Sequence, residues 1–203
     1  MALVSPWHFR AKRALDLAIC IAVLPFVGIV LALCAIAIRV DSPGPIVFRQ
    51  MRTGRDGVRF PMYKFRTMVQ NAEELKASLQ HLNILPPPDF KIPNDPRITR
   101  VGKFLRKTSL DELPQILNVF LGQMSLVGPR PTSFHPSTYD LWHSQRLEVT
   151  PGITGLWQVG GRNELTFDER NRLDAEYVRT LSLRRDVKIM LLTIGSVVKR
   201  SGN

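Results

Sequence analysis

The longest apolar stretch of the sequence lies near its start, where no charged residue occurs from Leu17 to Ile38. At about 1.5 Å per helical residue, this stretch could cross a hydrocarbon core of about 30 Å. Basic residues flank it on both sides, namely Arg10, Lys12 and Arg13 before it and Arg39, Arg49, Arg52 and Arg55 after it. A simple span would put one of these basic clusters on the outer side, against the usual distribution of positive charge.

Pro25 lies inside this stretch and favours a different arrangement, because proline removes a helical hydrogen bond and allows a kink. A helix that bends at Pro25 and returns to its own side would leave both basic flanks on the anionic cytoplasmic leaflet. A cleaved signal peptide is disfavoured, because its apolar core is usually about 7–15 residues long. We expect a basic segment at 1–13 and a re-entrant membrane helix at 14–40, with a kinked full span as the open alternative.

Short strands and helices are predicted for the remainder, residues 41–203. Two short strands, at 46–51 and 58–65, are joined across Asp56-Gly57, which is a hairpin signal. Helices are predicted at 69–80, 136–146 and 186–199. A further helix is predicted to begin at a capping box formed by Thr166 and Glu169. Together these elements predict one α/β domain, mostly helical with a small β-hairpin or sheet.

Asp111 and Glu112 lie at another capping signal, because Ser109 precedes Glu112 by three positions ahead of an apolar stretch. A helix is therefore predicted to begin between Ser109 and Asp111, with both carboxylates in its first turn. They could simply complement the helix dipole. Their neighbours are basic, however: Arg97, Arg100, Lys103, Arg106, Lys107 and Arg130. Such surroundings keep a carboxylate ionised and bind phosphates, so they indicate a phosphoryl-transfer site.

The overall charge indicates an anionic partner. Against 17 Asp and Glu the chain has 28 Lys and Arg, a formal net charge of +11. Nucleic acid, acidic lipid and phosphorylated substrates all fit that charge, but the apolar stretch argues against a free nucleic-acid binder. The rival to an enzyme is a non-enzymatic basic adaptor on membrane surfaces. The cysteines and histidines lack the spacing of a disulfide framework or a zinc site.

Several motifs in order resemble one known family, the bacterial sugar transferases of the monotopic phosphoglycosyl transferase type. They are the stretch 101–130, Gly-Pro-Arg-Pro at 128–131, Pro-Gly-Ile-Thr-Gly at 151–155 and Gly-Arg-Asn at 161–163. The likeness runs from about Lys12 to Gly202. One departure concerns the membrane helix, where Leu24 stands in place of the serine that commonly precedes the family's proline.

The resemblance implies transfer of a sugar 1-phosphate from a UDP-sugar to polyprenyl (undecaprenyl) phosphate, which initiates synthesis of a surface glycan. The expected location is the cytoplasmic face of the inner membrane, on anionic lipids. Whether the protein forms a homodimer stays open. The resemblance implies that Asp111 is the nucleophile and forms an aspartyl-phosphosugar intermediate, and that Glu112 helps to hold Mg²⁺. The implied phosphate-binding residues are Lys64, Arg106, Arg130 and Arg162.

Overall fold

We describe a computed structural model of the chain, covering residues 6–85, 90–135, 137, 143–160 and 165–201. The helices are α1 (Pro6–Asp41), α2 (Glu74–Ser78), α3 (Arg100–Thr108), α4 (Gln115–Phe120), α5 (Leu156–Gly160), α6 (Phe167–Arg179) and α7 (Leu183–Ser201). The strands are β1 (Val47–Thr53), β2 (Arg59–Phe65), β3 (Ser125–Val127) and β4 (Gly152–Thr154). The prediction of a mostly helical fold with a small sheet is confirmed.

The predicted hairpin is present as the antiparallel pair β1 and β2, which is in register from Val47 opposite Phe65 to Thr53 opposite Arg59. Asp56 and Gly57 both have positive φ, at 53° and 77°, as the turn between the strands requires. A second pair, β3 with β4, is parallel and was not predicted. This pair carries the Gly-Pro-Arg-Pro loop at its end.

The α1 helix runs without interruption from Pro6 to Asp41, with Pro25 inside it. Its apolar part has a mean hydropathy of 3.0 and is only 11% buried, so it could cross a membrane by length and composition. Residues 6–13 of the predicted basic segment already belong to this helix. A hairpin of two separate helices is not confirmed.

Both flanks of α1 pack on the same folded domain. On the N-terminal flank, Lys12 forms a buried ion pair with Asp186 at 2.7 Å, and Asp16 accepts a hydrogen bond from Ser125 Oγ at 2.7 Å. On the C-terminal flank, Ile38 joins a buried cluster with Phe65 and Leu105. Between these anchors the helix surface is largely exposed.

Three other predicted boundaries need correction. The helix predicted at 69–80 contains only α2 and a following 3₁₀ turn at Gln80–Leu82, and the final helix begins earlier than predicted, at Leu183. Of the helix predicted at 136–146, a 3₁₀ segment is seen at His143–Glu148, and Tyr139 and Trp142 lie outside the described residues. The Thr166 and Glu169 capping box at the start of α6 is confirmed.

Candidate active site

The candidate carboxylates lie in a tight turn between α3 and α4. Ser109 adopts a left-handed conformation with φ of 60°, which ends α3 and reverses the chain into a 3₁₀ turn at Leu110–Glu112. The capping box predicted from Ser109 is wrong, because the Ser109 side chain makes no capping bond and α4 begins only at Gln115. The Glu112 carboxylate has other partners.

Glu112 is bound by cations from two distant parts of the chain. Lys64 on β2 donates from Nζ to Glu112 Oε1 at 3.0 Å. Arg130 donates to both carboxylate oxygens, with Nη1 lying 3.1 Å from Oε2 and Nη2 bonded to Oε1. Burial alone would raise the pKa of Glu112, but the charges of Arg130 and Lys64 outweigh it and hold that pKa well below its usual value. Glu112 is therefore a fixed anion.

Asp111 has a different environment although it is the adjacent residue. Among the described residues, none donates a hydrogen bond to its carboxylate, which faces a cavity. Burial and the charge of Glu112 raise the pKa of Asp111, and Lys64, Arg106 and Arg130 oppose this only in part. Lys64 and Arg130 are paired with Glu112, so they offset the effect of burial on Asp111 only in part, and the expectation that Asp111 is ionised stays a prediction. The result is an unpaired and relatively basic carboxylate.

Arg106 reaches the same cavity from α3. Its Nε donates to Thr67 Oγ1 at 2.8 Å. The helix can approach Thr67 this closely because position 102 is glycine, where an added Cβ would lie 2.1 Å from the Thr67 carbonyl oxygen. Gly102 therefore allows the close approach of α3 to Thr67, the residue that holds Arg106.

Three cavities meet around the turn. The catalytic cavity, of about 500 Å³, is lined by Lys64, Arg66, Arg106, Asp111 and Glu112, among others. The aromatic cavity, of about 410 Å³, contains Phe90, Phe134, Trp157 and Phe167 with Arg52, Arg97, Arg130, Arg146 and Arg170. The apolar cavity, of about 450 Å³, is lined by Val23, Val27, Leu113, Ile116, Leu126 and Ile153, together with Glu112 and Arg130.

Glu112 and Arg130 lie where these cavities join. Glu112 lines both the catalytic and the apolar cavity, and Arg130 lines both the aromatic and the apolar cavity. Because Val23 and Val27 belong to the exposed part of α1, the apolar cavity connects the charged site with the most apolar segment of the chain. This arrangement can bring a phosphorylated group with an apolar tail next to a polar, phosphate-binding site.

Of the candidate residues predicted from the sequence, the structure brings together Lys64, Arg106, Asp111, Glu112 and Arg130. Arg162 lies outside the described residues. Lys103 and Lys107, from the basic run before the carboxylates, are exposed. Sequence reasoning missed Arg146, whose partners are distant in the chain and leave no local pattern.

Comparison with known proteins identifies the family. The family model described as bacterial sugar transferase matches residues 7–200. The galactosyl transferase CpsE of Streptococcus agalactiae is 47% identical, with 96% of this chain and 44% of the relative covered. The undecaprenyl-phosphate galactose phosphotransferase of Salmonella typhimurium is 48% identical over 78% of this chain and 34% of its own length.

The chain belongs to the bacterial sugar transferase family. It spans less than half the length of the two relatives just described. The exopolysaccharide production protein ExoY of Rhizobium meliloti, which is 38% identical, is matched over 98% of this chain and 91% of its own length. The family match extends over both α1 and the carboxylate turn.

Proposed function

We propose that this chain transfers a sugar 1-phosphate from a UDP-sugar to polyprenyl phosphate, initiating synthesis of a surface glycan. The observation that carries the proposal is the unpaired Asp111 carboxylate beside Glu112, which is held by Lys64 and Arg130, at the junction of basic and apolar cavities. The relatives' names agree with it, since the Salmonella typhimurium protein is named an undecaprenyl-phosphate galactose phosphotransferase. An Escherichia coli relative is named a UDP-glucose:undecaprenyl-phosphate glucose-1-phosphate transferase.

The cavities suit the two proposed substrates. A nucleotide sugar carries a diphosphate and an aromatic base, and the catalytic and aromatic cavities offer guanidinium groups and aromatic rings for these parts. Polyprenyl phosphate has a long apolar chain, and the apolar cavity between α1 and the site offers matching side chains. Both substrates would then meet at Glu112 and Asp111.

The reaction would proceed in two displacements at one phosphorus atom. A carboxylate oxygen of Asp111 attacks the sugar-bearing phosphorus, and the bond to UMP breaks as UMP takes the electron pair. An oxygen of polyprenyl phosphate then attacks the same phosphorus and releases the Asp111 carboxylate. The raised pKa of Asp111 favours the attack, since a more basic carboxylate is a better nucleophile in its ionised form.

The cations have a separate role in this scheme. Arg106 is held by Thr67, and Arg130 is held by its two bonds to Glu112, so both side chains are positioned before substrate binds. Positive charge fixed near a diphosphate reduces its repulsion of the attacking anion and stabilises charge on the departing phosphate. Lys64, which lines the catalytic cavity with Arg106, adds a third charge. By the family resemblance, Arg162 also contributes to phosphate binding.

Mg²⁺ is part of the proposal. Among the described residues there is no cluster of three or more His, Cys, Asp or Glu side chains that could hold a metal, but Mg²⁺ commonly uses one or two carboxylates with substrate phosphates. Glu112 Oε1 accepts from both cations, whereas Oε2 accepts from Arg130 alone in the described structure, so Oε2 retains room for a ligand bond. Glu112 and substrate phosphates would hold the ion, which neutralises phosphate charge.

We also propose that α1 enters and leaves the membrane on its cytoplasmic side. Both of its flanks contact one domain, through Lys12 with Asp186 and through Ile38 with Leu105. If α1 crossed the membrane completely, its two ends would lie on opposite sides of a hydrocarbon core about 30 Å thick. A single water-soluble domain could not contact both ends across that core. The basic flanks would bind anionic lipids of that leaflet. Pro25, in the middle of the exposed part, is the proposed site of bending.

UMP release tests the proposed function against the basic adaptor. Purified protein in detergent is incubated with a panel of UDP-sugars, polyprenyl phosphate and Mg²⁺, and UMP is measured. At least one UDP-sugar should yield UMP, and Asp111→Asn should not, because a neutral amide is a poor nucleophile. Asp168→Asn, at an exposed position, is the matched control and should retain activity. Binding to anionic vesicles without UMP from any sugar would favour the adaptor.

A further inference from the structure

Arg146 lies behind the candidate site and is almost completely buried, with 7% of the residue exposed. It comes from the 3₁₀ segment at His143–Glu148 and makes two hydrogen bonds and one ion pair. Nη1 donates to Asn171 Oδ1 at 2.8 Å, and Nη2 donates to the backbone carbonyl of Arg130 at 2.6 Å. Nη2 also lies 2.7 Å from Asp174 Oδ2 in an ion pair.

Asp174 is fully buried, and loss of contact with water makes the ionised form of its carboxylate unfavourable. Burial raises the pKa of Asp174 to about 6, although Arg146 and Arg170 oppose this. A buried ion pair often contributes little to stability, because desolvation of both ions offsets their attraction. Stabilisation of the contact between the 3₁₀ segment and α6 therefore does not by itself explain why this buried ion pair is present. What the pair does supply is a guanidinium group in a fixed orientation.

That orientation matters because of the residue whose carbonyl Arg146 binds. Arg130 lies in the Gly-Pro-Arg-Pro loop, which the parallel pair holds before Arg130 and which the amide of Thr53 on β1 holds after it by donating to the Thr132 carbonyl at 2.9 Å. The amide of Gly128 donates to the Thr154 carbonyl at 2.9 Å, and the amide of Gly152 donates to the Pro129 carbonyl at 2.9 Å. Arg146 fixes the next carbonyl, that of Arg130 itself.

We propose that Arg146, held by Asp174 and Asn171, is a positioning residue that fixes the backbone at Arg130 and so directs the Arg130 guanidinium onto Glu112. The chain of contacts runs from α6 through Arg146 and Arg130 to the carboxylate turn. The expected effect of Arg146 on the reaction rate rests on the proposed function, whereas its effect on the loop does not. Arg146 also lines the aromatic cavity, so direct contact with substrate is the rival role.

The test uses Arg146→Lys and Asp174→Asn in the full-length protein. Lysine keeps the charge but cannot reproduce the planar fork that donates to Asn171 and to the Arg130 carbonyl while lying next to Asp174. Asp174→Asn keeps the volume and removes the charge that holds Arg146. Arg179→Lys is the matched control, since Arg179 joins α6 to the same 3₁₀ segment through Gln145 at 3.0 Å but does not contact the loop.

The first readout is hydrogen exchange of peptides covering residues 128–133, which requires no activity. Exchange should rise by about tenfold in Arg146→Lys and Asp174→Asn, as expected for loss of a hydrogen bond from a charged donor, and should not change in Arg179→Lys. Unchanged exchange in both variants would overturn the proposal, whether or not the protein proves to be a transferase.

The second readout is a double-mutant cycle on UMP formation. Arg146→Lys should lower kcat by about 10- to 100-fold, with KM for the UDP-sugar changed by less than about threefold. In the Arg130→Ala background, the same substitution should cost less than about twofold, because the residue on which Arg146 acts is already gone. A full additional loss in that background would show direct action on substrate and overturn the positioning role. If the wild-type protein forms no UMP, the proposed function fails while exchange still decides whether Arg146 holds the loop.

Discussion

Asp111 and Glu112 are adjacent in one 3₁₀ turn, yet their carboxylates have pKa values displaced in opposite directions. Lys64 and Arg130 bind Glu112 and hold its pKa low, whereas burial and the negative charge of Glu112 raise the pKa of Asp111. Environments that separate the pKa values of two neighbouring groups are typical of sites where those groups have different tasks. This separation is the reason for the two roles proposed above, electrostatic for Glu112 and nucleophilic for Asp111.

The first prediction is the pH dependence of UMP release. Only ionised Asp111 can attack, so the rate of a single turnover should rise with pH through the pKa of Asp111. Because that pKa is raised above the ordinary value of 3.8, the acid limb should lie above pH 3.8. Rapid-quench measurement of UMP at saturating UDP-sugar checks this. An acid limb at or below the ordinary value would contradict the environment described for Asp111.

The second prediction concerns Glu112→Gln. Neutralising Glu112 leaves Lys64 and Arg130 without their shared counter-charge and frees both to move. UMP formation should fall by about 100-fold or more, and the Mg²⁺ concentration needed for half-maximal rate should rise. Glu74→Gln, the same substitution at an exposed residue on α2 that lines none of the three cavities, serves as the control. Wild-type activity in Glu112→Gln would rule out an electrostatic role for this carboxylate.

The same substitution should change the acid sensitivity of folding. The pKa of Glu112 is lower in the folded state than its ordinary value of 4.5, so its stabilising effect is present above pH 4.5 and lost as the pH falls toward the folded-state pKa. The stability difference between wild type and Glu112→Gln should therefore shrink as the pH falls from 6 to 3. Urea unfolding at several pH values measures it, and a difference that grows on acidification would be inconsistent with the ion pair.

A third prediction concerns Gly102, which allows α3 to approach Thr67. A Cβ at this position would lie 2.1 Å from the Thr67 carbonyl oxygen, so Gly102→Ala should destabilise the fold by about 1–3 kcal/mol and displace Arg106. Gly195→Ala in α7 is the control, since no atom lies within 4 Å of its added Cβ. That change should be neutral or stabilising by up to about 1 kcal/mol. Equal thermal shifts in the two variants would contradict the close approach.

Membrane topology gives a fourth prediction. Single cysteines replacing the exposed residues Arg10 and Arg49, in a background with Cys20→Ser and Cys34→Ser, mark the two flanks of α1. Both should react with a membrane-impermeant maleimide in inside-out vesicles and neither in right-side-out vesicles, since both flanks pack on one domain. Reaction of the two positions from opposite sides would show a full span.

Local patterns predicted the parts of this fold that depend on neighbouring residues. Asp56-Gly57 has the positive φ values of its turn, and Thr166 with Glu169 forms its capping box, because both motifs are complete within a few residues. The capping-box pattern gave a wrong prediction at Ser109. There, Lys64 and Arg130 bind Glu112, and local sequence gives no sign of that competition.

The supporting residues of the site could not be predicted for a related reason. Strands β3 and β4 are each three residues long and are separated by the segment that contains the Arg130 loop. Arg146 and its partner Asn171 are 25 positions apart. Such pairings arise from tertiary packing, so family resemblance could indicate Asp111, Glu112 and Arg130 but not what holds them in place.

The most direct test of the central claim is the mass of the protein after incubation with a UDP-sugar and Mg²⁺ in the absence of polyprenyl phosphate. The account predicts about one UMP per active site and a gain equal to one phosphosugar on the peptide containing Asp111, because the first displacement needs no lipid. Asp111→Asn should give neither signal, and added polyprenyl phosphate should discharge the adduct. UMP that forms only with lipid present, without any adduct and with ternary-complex kinetics, would contradict Asp111 as the nucleophile.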